Sequence, residues 1–195
     1  MEYVEGYHKV KNGEFLYLQE YFTKEVSDFY LQEFLQNIAW SNESIKMFGK
    51  TLQVPRLTAW YGDSGKDYSY SGIKHIASPW TNALLEIKAK LSKLTTVNYN
   101  SVLLNLYRNG KDSMGWHQDN EKELGKNPII ASVSFGATRQ FSIRHIKNQE
   151  RINLDLGHGS VLVMMGEMQH FWQHQVPKTK IEKSERVNLT YRDIK

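Results

Sequence analysis

Cysteine is absent from this 195-residue chain, which excludes disulfides, thiolate nucleophiles and cysteine-ligated zinc together. Any metal must therefore sit on His, Asp or Glu. No apolar run approaches the roughly 20 residues that span a bilayer, so no membrane partner is expected. The opening stretch MEYVEGYHKVKNGEF has no h-region, so no secretory signal is expected either. A cytoplasmic location follows if the source is bacterial, with the nucleus left open for a eukaryote. Repeats, linkers and low-complexity segments are also missing.

What is present is a soluble globular composition, 40% hydrophobic and 24% charged. The length suits one domain with a substantial core, and a monomer is expected. A net charge of +4 and a pI near 9.1 lean mildly toward polyanionic partners. The 12% aromatic content suits base stacking and a plain β core equally.

Helix signals come early. Thr23 is a cap for a helix to about Asn37, with Val26, Phe29, Tyr30 and Phe34 on one face. Ser78-Pro79 starts a second helix, with Leu84, Ile87, Leu91 and Leu94 as its stripe. From Tyr99 the texture becomes short strands: NSVLLNLY, IIASVSF, TRQFSIRHI, RINLDL, SVLVMM, HFWQH and RVNLTYR. FGAT and LGHGS read as hairpin turns. The expected fold is α+β and mainly β, with N-terminal helices over about residues 1–98 and a jelly-roll (double-stranded β-helix) core over about 99–195.

Residues two apart on a strand share a face. In RVNLTYR, Arg186, Asn188, Thr190 and Arg192 lie on one side, and Val187, Leu189 and Tyr191 on the other. In NSVLLNLY, Asn105 and Tyr107 oppose Val102, Leu104 and Leu106. A solvent-facing sheet produces the same alternation, but two arginines flanking Asn and Thr also suit a buried anion. In WHQDNEKEL, His117 and Asp119 would share a strand face and reach one ion. A non-haem iron site needs two histidines and one carboxylate. The spacing leaves the partner open among His8, His75, His145, His158, His170 and His174.

HQD, then QHQVP at Gln173 to Pro177, then RVNLTYR, together resemble the signature of the AlkB family of Fe(II)/2-oxoglutarate-dependent nucleic-acid dealkylases. LNLYRNG is similar to the family's N-x-Y segment, ASVSFGATRQFSIRH to its following hairpin, and SVLVMMGEMQHFWQH to the strand pair ending in the distal histidine. MFGKTLQVPR and YGDSGKDYSYSG resemble the nucleotide-recognition lid of its duplex-preferring DNA-repair branch. The resemblance spans about Met47 to Arg192.

By position, the resemblance implies that His117, Asp119 and His174 bind Fe(II). His174 precedes Gln-Val-Pro and lies twelve residues before Arg186, as the family pattern requires. The resemblance also implies that Arg186, helped by Tyr107, holds the far carboxylate of 2-oxoglutarate. Asn105 and Arg192 would lie near its chelated end, with Asn188 and Thr190 completing the pocket. The implied reaction consumes O2 and 2-oxoglutarate, forms succinate and CO2, and removes an N-methyl group from 1-methyladenine or 3-methylcytosine in DNA as formaldehyde. The flipped base would meet Tyr68, Ser69 and Tyr70 of the lid, with Asn120 and Glu121 beside it. Phe48, with Gly49 and Lys50, would be a wedge into the duplex stack. The alternatives are an RNA demethylase, an oxygenase on another substrate, or a cupin-like metal-binding module. The lysines at Lys178, Lys180 and Lys183 are assigned no role.

Overall fold

A hairpin opens the fold where helices were expected. Strands β1 (Gly6–Val10) and β2 (Gly13–Leu18) pair antiparallel across a two-residue turn in which Asn12 takes φ 54°. Asn tolerates that left-handed conformation. The computed structural model describes residues 3–47, 50–66, 68–70 and 73–195. Of these, residues 45–47, 50–52, 68–70 and 73–75 are described by backbone alone.

Helix α1 (Lys24–Asn37) is capped by Thr23, whose hydroxyl accepts from the Val26 amide. Its buried face is Ser27, Tyr30 and Phe34. Val26 and Phe29 are exposed, because they sit on the flank of that stripe rather than on it. The hairpins β3 (Ser44–Met47) with β4 (Lys50–Gln53) and β6 (Tyr68–Tyr70) with β7 (Ile73–His75) flank β5 (Leu57–Gly62). Helix α2 (Asn82–Thr95) starts at the Thr81 cap, later than Ser78-Pro79 suggested. Ser78 is instead tied to the end of β5, its amide donating to Trp60 O and its carbonyl accepting from the Gly62 amide. Ala83, Leu84, Ile87 and Leu91 are buried on the inner face of α2.

The remaining strands are β8 (Ser101–Tyr107), β9 (Met114–His117), β10 (Ile130–Gly136), β11 (Arg139–His145), β12 (Arg151–Leu156), β13 (Ser160–Met165), β14 (Trp172–Val176) and β15 (Arg186–Arg192). A four-residue helix α3 (Met168–Phe171) fills the first part of the stretch read as the strand HFWQH. The large sheet runs β1-β2-β13-β10-β15-β8-β5 and the small one β12-β11-β14-β9, giving a jelly roll.

FGAT and LGHGS are not hairpin turns. β10 pairs with β13 and β15, whereas β11 pairs with β12 and β14, so both segments are corners carrying the chain from one sheet to the other. Gly136, at φ +94°, sits where an added Cβ would lie 2.3 Å from Glu185 O, so only glycine fits that corner. One apolar cluster joins the outer face of the large sheet to both helices, and a second fills the space between the sheets. The gap in that second cluster is the site.

Candidate metal and co-substrate site

β9 and β14 pair so that His117 and His174 stand opposite each other, with ring centroids 4.1 Å apart. His117 Nδ1 lies 2.8 Å from Gly115 O. A carbonyl only accepts, so Nδ1 carries the proton and Nε2 offers a lone pair. His174 is stacked on Phe141 at 5.2 Å. β9 ends at His117, so Asp119 does not share a strand face with it. A loop brings the carboxylate in, with Oδ1 3.9 Å from His117 Nε2 and Oδ2 4.0 Å from His174 Nε2. Ligand atoms of all three residues lie within 4.8 Å of one another.

Charge is tuned for ligation. Burial works against ionisation of Asp119, but Arg192, 3.1 Å from Oδ2, and the two imidazoles outweigh it and hold its pKa at about 2. Burial, with His117 alongside, pushes His174 down to about 3, and burial lowers His117 too. A carboxylate and two neutral imidazoles are the donor set that suits iron with open positions. Asp119 Oδ1 is buried without a hydrogen-bond partner among the described residues, a state that a bound cation would relieve.

The polar faces of β8 and β15 point into the same cavity, lined by Asn105, Tyr107, Arg186, Asn188, Thr190 and Arg192 together with the three ligating residues. The register sets Arg186 opposite Tyr107 and Asn188 opposite Asn105. Arg186 Nη2 donates to Ser134 Oγ at 2.8 Å. Its Nε and Nη1 are buried without a partner of hydrogen-bonding geometry among the described residues. Burial lowers the Arg186 pKa to about 10, an effect that nearby Tyr107 opposes. A guanidinium desolvated this far with donors to spare is a ready partner for a carboxylate.

Residues 14–192 match the model of the 2OG-Fe(II) oxygenase superfamily. The chain belongs to that superfamily. It is 42% identical over 178 residues to the human alpha-ketoglutarate-dependent dioxygenase alkB homolog 3, covering 86% of this chain and 62% of that protein. It is 40% identical over 158 residues to the human DNA oxidative demethylase ALKBH2, covering 77% and 60%. The chain thus spans about 62% of the length of the first of these relatives. Among solved structures, OsALKBH1 superposes with a TM-score of 0.61 at 17% identity, over 95% of this chain and 100% of that one. A prolyl hydroxylase from Trichoplax adhaerens superposes with 0.60 at 15%, over 94% and 84%. Both likenesses speak to the fold.

The expected metal and co-substrate residues converge on one cavity, while Asn120 and Glu121, two of the expected base-contacting residues, are not part of its lining. Asn120 is exposed, and Glu121 is half-buried at the start of a 3-10 turn (Lys122–Leu124). Phe48 and Gly49 lie outside the described residues. Lys50, Tyr68, Ser69 and Tyr70 are placed by backbone only, on the β3–β4 and β6–β7 hairpins. Three of the histidines not chosen have partners of their own. His145 Nδ1 accepts from the Lys147 and Asn148 amides, His158 bridges Gly136 N and Asp28, and His170 contacts Asn127.

Three supporting residues escaped the sequence reading. Arg56 is buried and donates through Nε to Asn105 Oδ1 at 2.7 Å. Arg139 is buried against three carbonyls and stands over the Tyr107 ring at 5.5 Å. Gln169 accepts from the Asp119 amide at 3.0 Å. Nothing local distinguishes these side chains from ordinary surface polar residues. Their partners are 49, 32 and 50 residues away in sequence.

Proposed function

We propose that this chain is the catalytic domain of an Fe(II)/2-oxoglutarate-dependent dealkylase that repairs N-methylated bases, 1-methyladenine and 3-methylcytosine among them, in DNA. The observation that carries this reading is one buried cavity with the His117–Asp119–His174 donor set at one place and the under-satisfied Arg186 guanidinium at another. Similarity to the DNA oxidative demethylase ALKBH2 supports DNA as the polymer.

Iron, when bound, supplies the oxidising chemistry that couples decarboxylation of 2-oxoglutarate to removal of the methyl group. The protein does the rest. His117 and His174 present neutral nitrogens, and Asp119 a carboxylate kept ionised by Arg192. Arg186 and Tyr107 hold the far carboxylate of the co-substrate through charge-assisted hydrogen bonds. Arg192 and Asn105 stand near the end that faces the metal, and Asn105 is itself fixed by Arg56. Leu103, Met114, Phe141, Met164 and Val176 wall the cavity with apolar surface, which keeps water from the reacting groups. The base is delivered by the segments carrying Tyr68 and Tyr70 and by Glu121 just beyond Asp119, whose carboxylate suits a base made cationic by methylation. Phe48 fills the gap that the flipped base leaves in a duplex.

The test is anaerobic loading of the protein with Fe(II), followed by air, 2-oxoglutarate and a 1-methyladenine oligonucleotide. Mass spectrometry should show the oligonucleotide losing one methyl group while succinate forms. Succinate without demethylation of DNA, and demethylation of the matching RNA instead, would move the substrate to RNA. Failure to bind 2-oxoglutarate at all would remove the enzymatic reading.

A further inference from the structure

Gln169 is 1% exposed, yet it belongs to a helix of only four residues, α3, and has no part in the chemistry above. It reaches the loop after β9 at two points. Its side-chain Oε1 accepts from the Asp119 amide at 3.0 Å, and its backbone carbonyl accepts from Gln118 Nε2 at 3.0 Å. The amide orientation is dictated by its surroundings. Nε2 faces Met164 Sδ at 3.5 Å, a weak acceptor. Turning the group over would set two donors against each other at Asp119.

The loop needs such a contact. β9 ends at His117, so Gln118 and Asp119 lie beyond its pairing with β14. A carboxylate on a free loop would lose conformational entropy on binding a cation, whereas one already held does not. α3 runs directly into β14, and His174 follows Gln169 by five residues. One short segment therefore carries one imidazole and grips the loop of the carboxylate.

We propose that Gln169 is a positioning residue that clasps the Gln118–Asp119 loop to the segment bearing His174 and so preorganises the metal site. The proposal rests on the metal reading of His117, Asp119 and His174. It predicts an effect that passes through Asp119, which a role confined to packing α3 does not.

Co(II) titration of the metal-free protein, followed by visible absorption, separates the two. Gln169→Met keeps the shape and loses the acceptor, and is expected to weaken Co(II) binding about tenfold or more. Gln169→Glu keeps an oxygen at the same reach and places an anion near the cation, so it should bind Co(II) at least as tightly as wild type. In an Asp119→Ala background, where the two imidazoles remain, Gln169→Met should cause no further loss. Equal losses in both backgrounds, or wild-type affinity in Gln169→Met, would overturn the clasp. If Gln169→Met does not melt cooperatively, hydrogen exchange of the Asp119 amide in the wild-type protein decides. Slow exchange is expected, and exchange as fast as an open loop would overturn the proposal. Failure of the wild-type protein to bind Co(II) would instead sink the reading of the triad.

Discussion

On one face of β15, Val187, Leu189 and Tyr191 are sealed into the cluster that includes Tyr30, Phe34, Leu84 and Ile87 of the helices. On the other, Arg186, Asn188, Thr190 and Arg192 line the cavity between the sheets. The two faces are almost equally buried: Leu189 is 0% exposed and Arg186 1%. Their energetics are opposite. Burying a leucine stabilises the fold by about 1.5–3 kcal/mol. Burying a guanidinium costs free energy unless every donor is met, and two Arg186 nitrogens have no hydrogen-bond partner among the described residues. The outer face holds the domain together, and the inner one stores an unfavourable state that a cation and a dicarboxylate would offset.

That contrast can be broken most severely at the metal. His117→Ala, Asp119→Ala and His174→Ala should each abolish turnover, because no fourth donor stands within reach among the described residues. His170→Ala should leave most activity, since its ring sits against Asn127 away from the cavity. A dead His170→Ala with an active His174→Ala would reverse the assignment.

The next effect compares the two faces directly. Arg186→Met should weaken 2-oxoglutarate binding by about 2–5 kcal/mol, while the melting temperature of the ligand-free protein stays level or rises. Calorimetric titration and a thermal melt on the same sample would check both. Leu189→Ala should behave the opposite way, lowering stability by about 2–5 kcal/mol with the co-substrate affinity of the folded fraction little changed. Arg186→Met that melts early would place Arg186 in the structural core instead.

The smallest effect is in pH. His174 is held neutral, with a pKa near 3 against an ordinary 6.5. The unfolded chain takes up this proton first, so the metal-free protein should lose stability as pH falls below about 6.5 and on toward 3. The slope from this one group is at most about 1.4 kcal/mol per pH unit. Asp119, lowered from 3.8 to about 2, adds a loss only at more acid pH. Urea denaturation at pH 6.5 and 5.0 would measure the slope, and His174→Gln should flatten it. An unchanged slope would show that other groups set the acid limit.

The polar face of β15 and of β8 was readable from residue order alone, but not the side to which it turns. Alternation with period two is a local property of extended chain, whereas the inward side and the histidine that joins His117 were implied only by the resemblance to the AlkB family. The Thr23 cap was likewise local. The β1–β2 hairpin was just as local, turning at Asn12, and was missed. Other features depend on partners far along the chain. FGAT and LGHGS have turn composition whether they close a hairpin or change sheets, and only the pairing of β10 with β13 and β15 distinguishes the two. Asp119 reaches the imidazoles from a loop rather than a strand, held by a glutamine 50 residues later. Arg56 reads as an ordinary surface charge until the sheet brings Asn105 to it. Identity and local period follow from covalent order and backbone sterics. Convergence follows from packing two sheets face to face, which residue order constrains only through the whole fold.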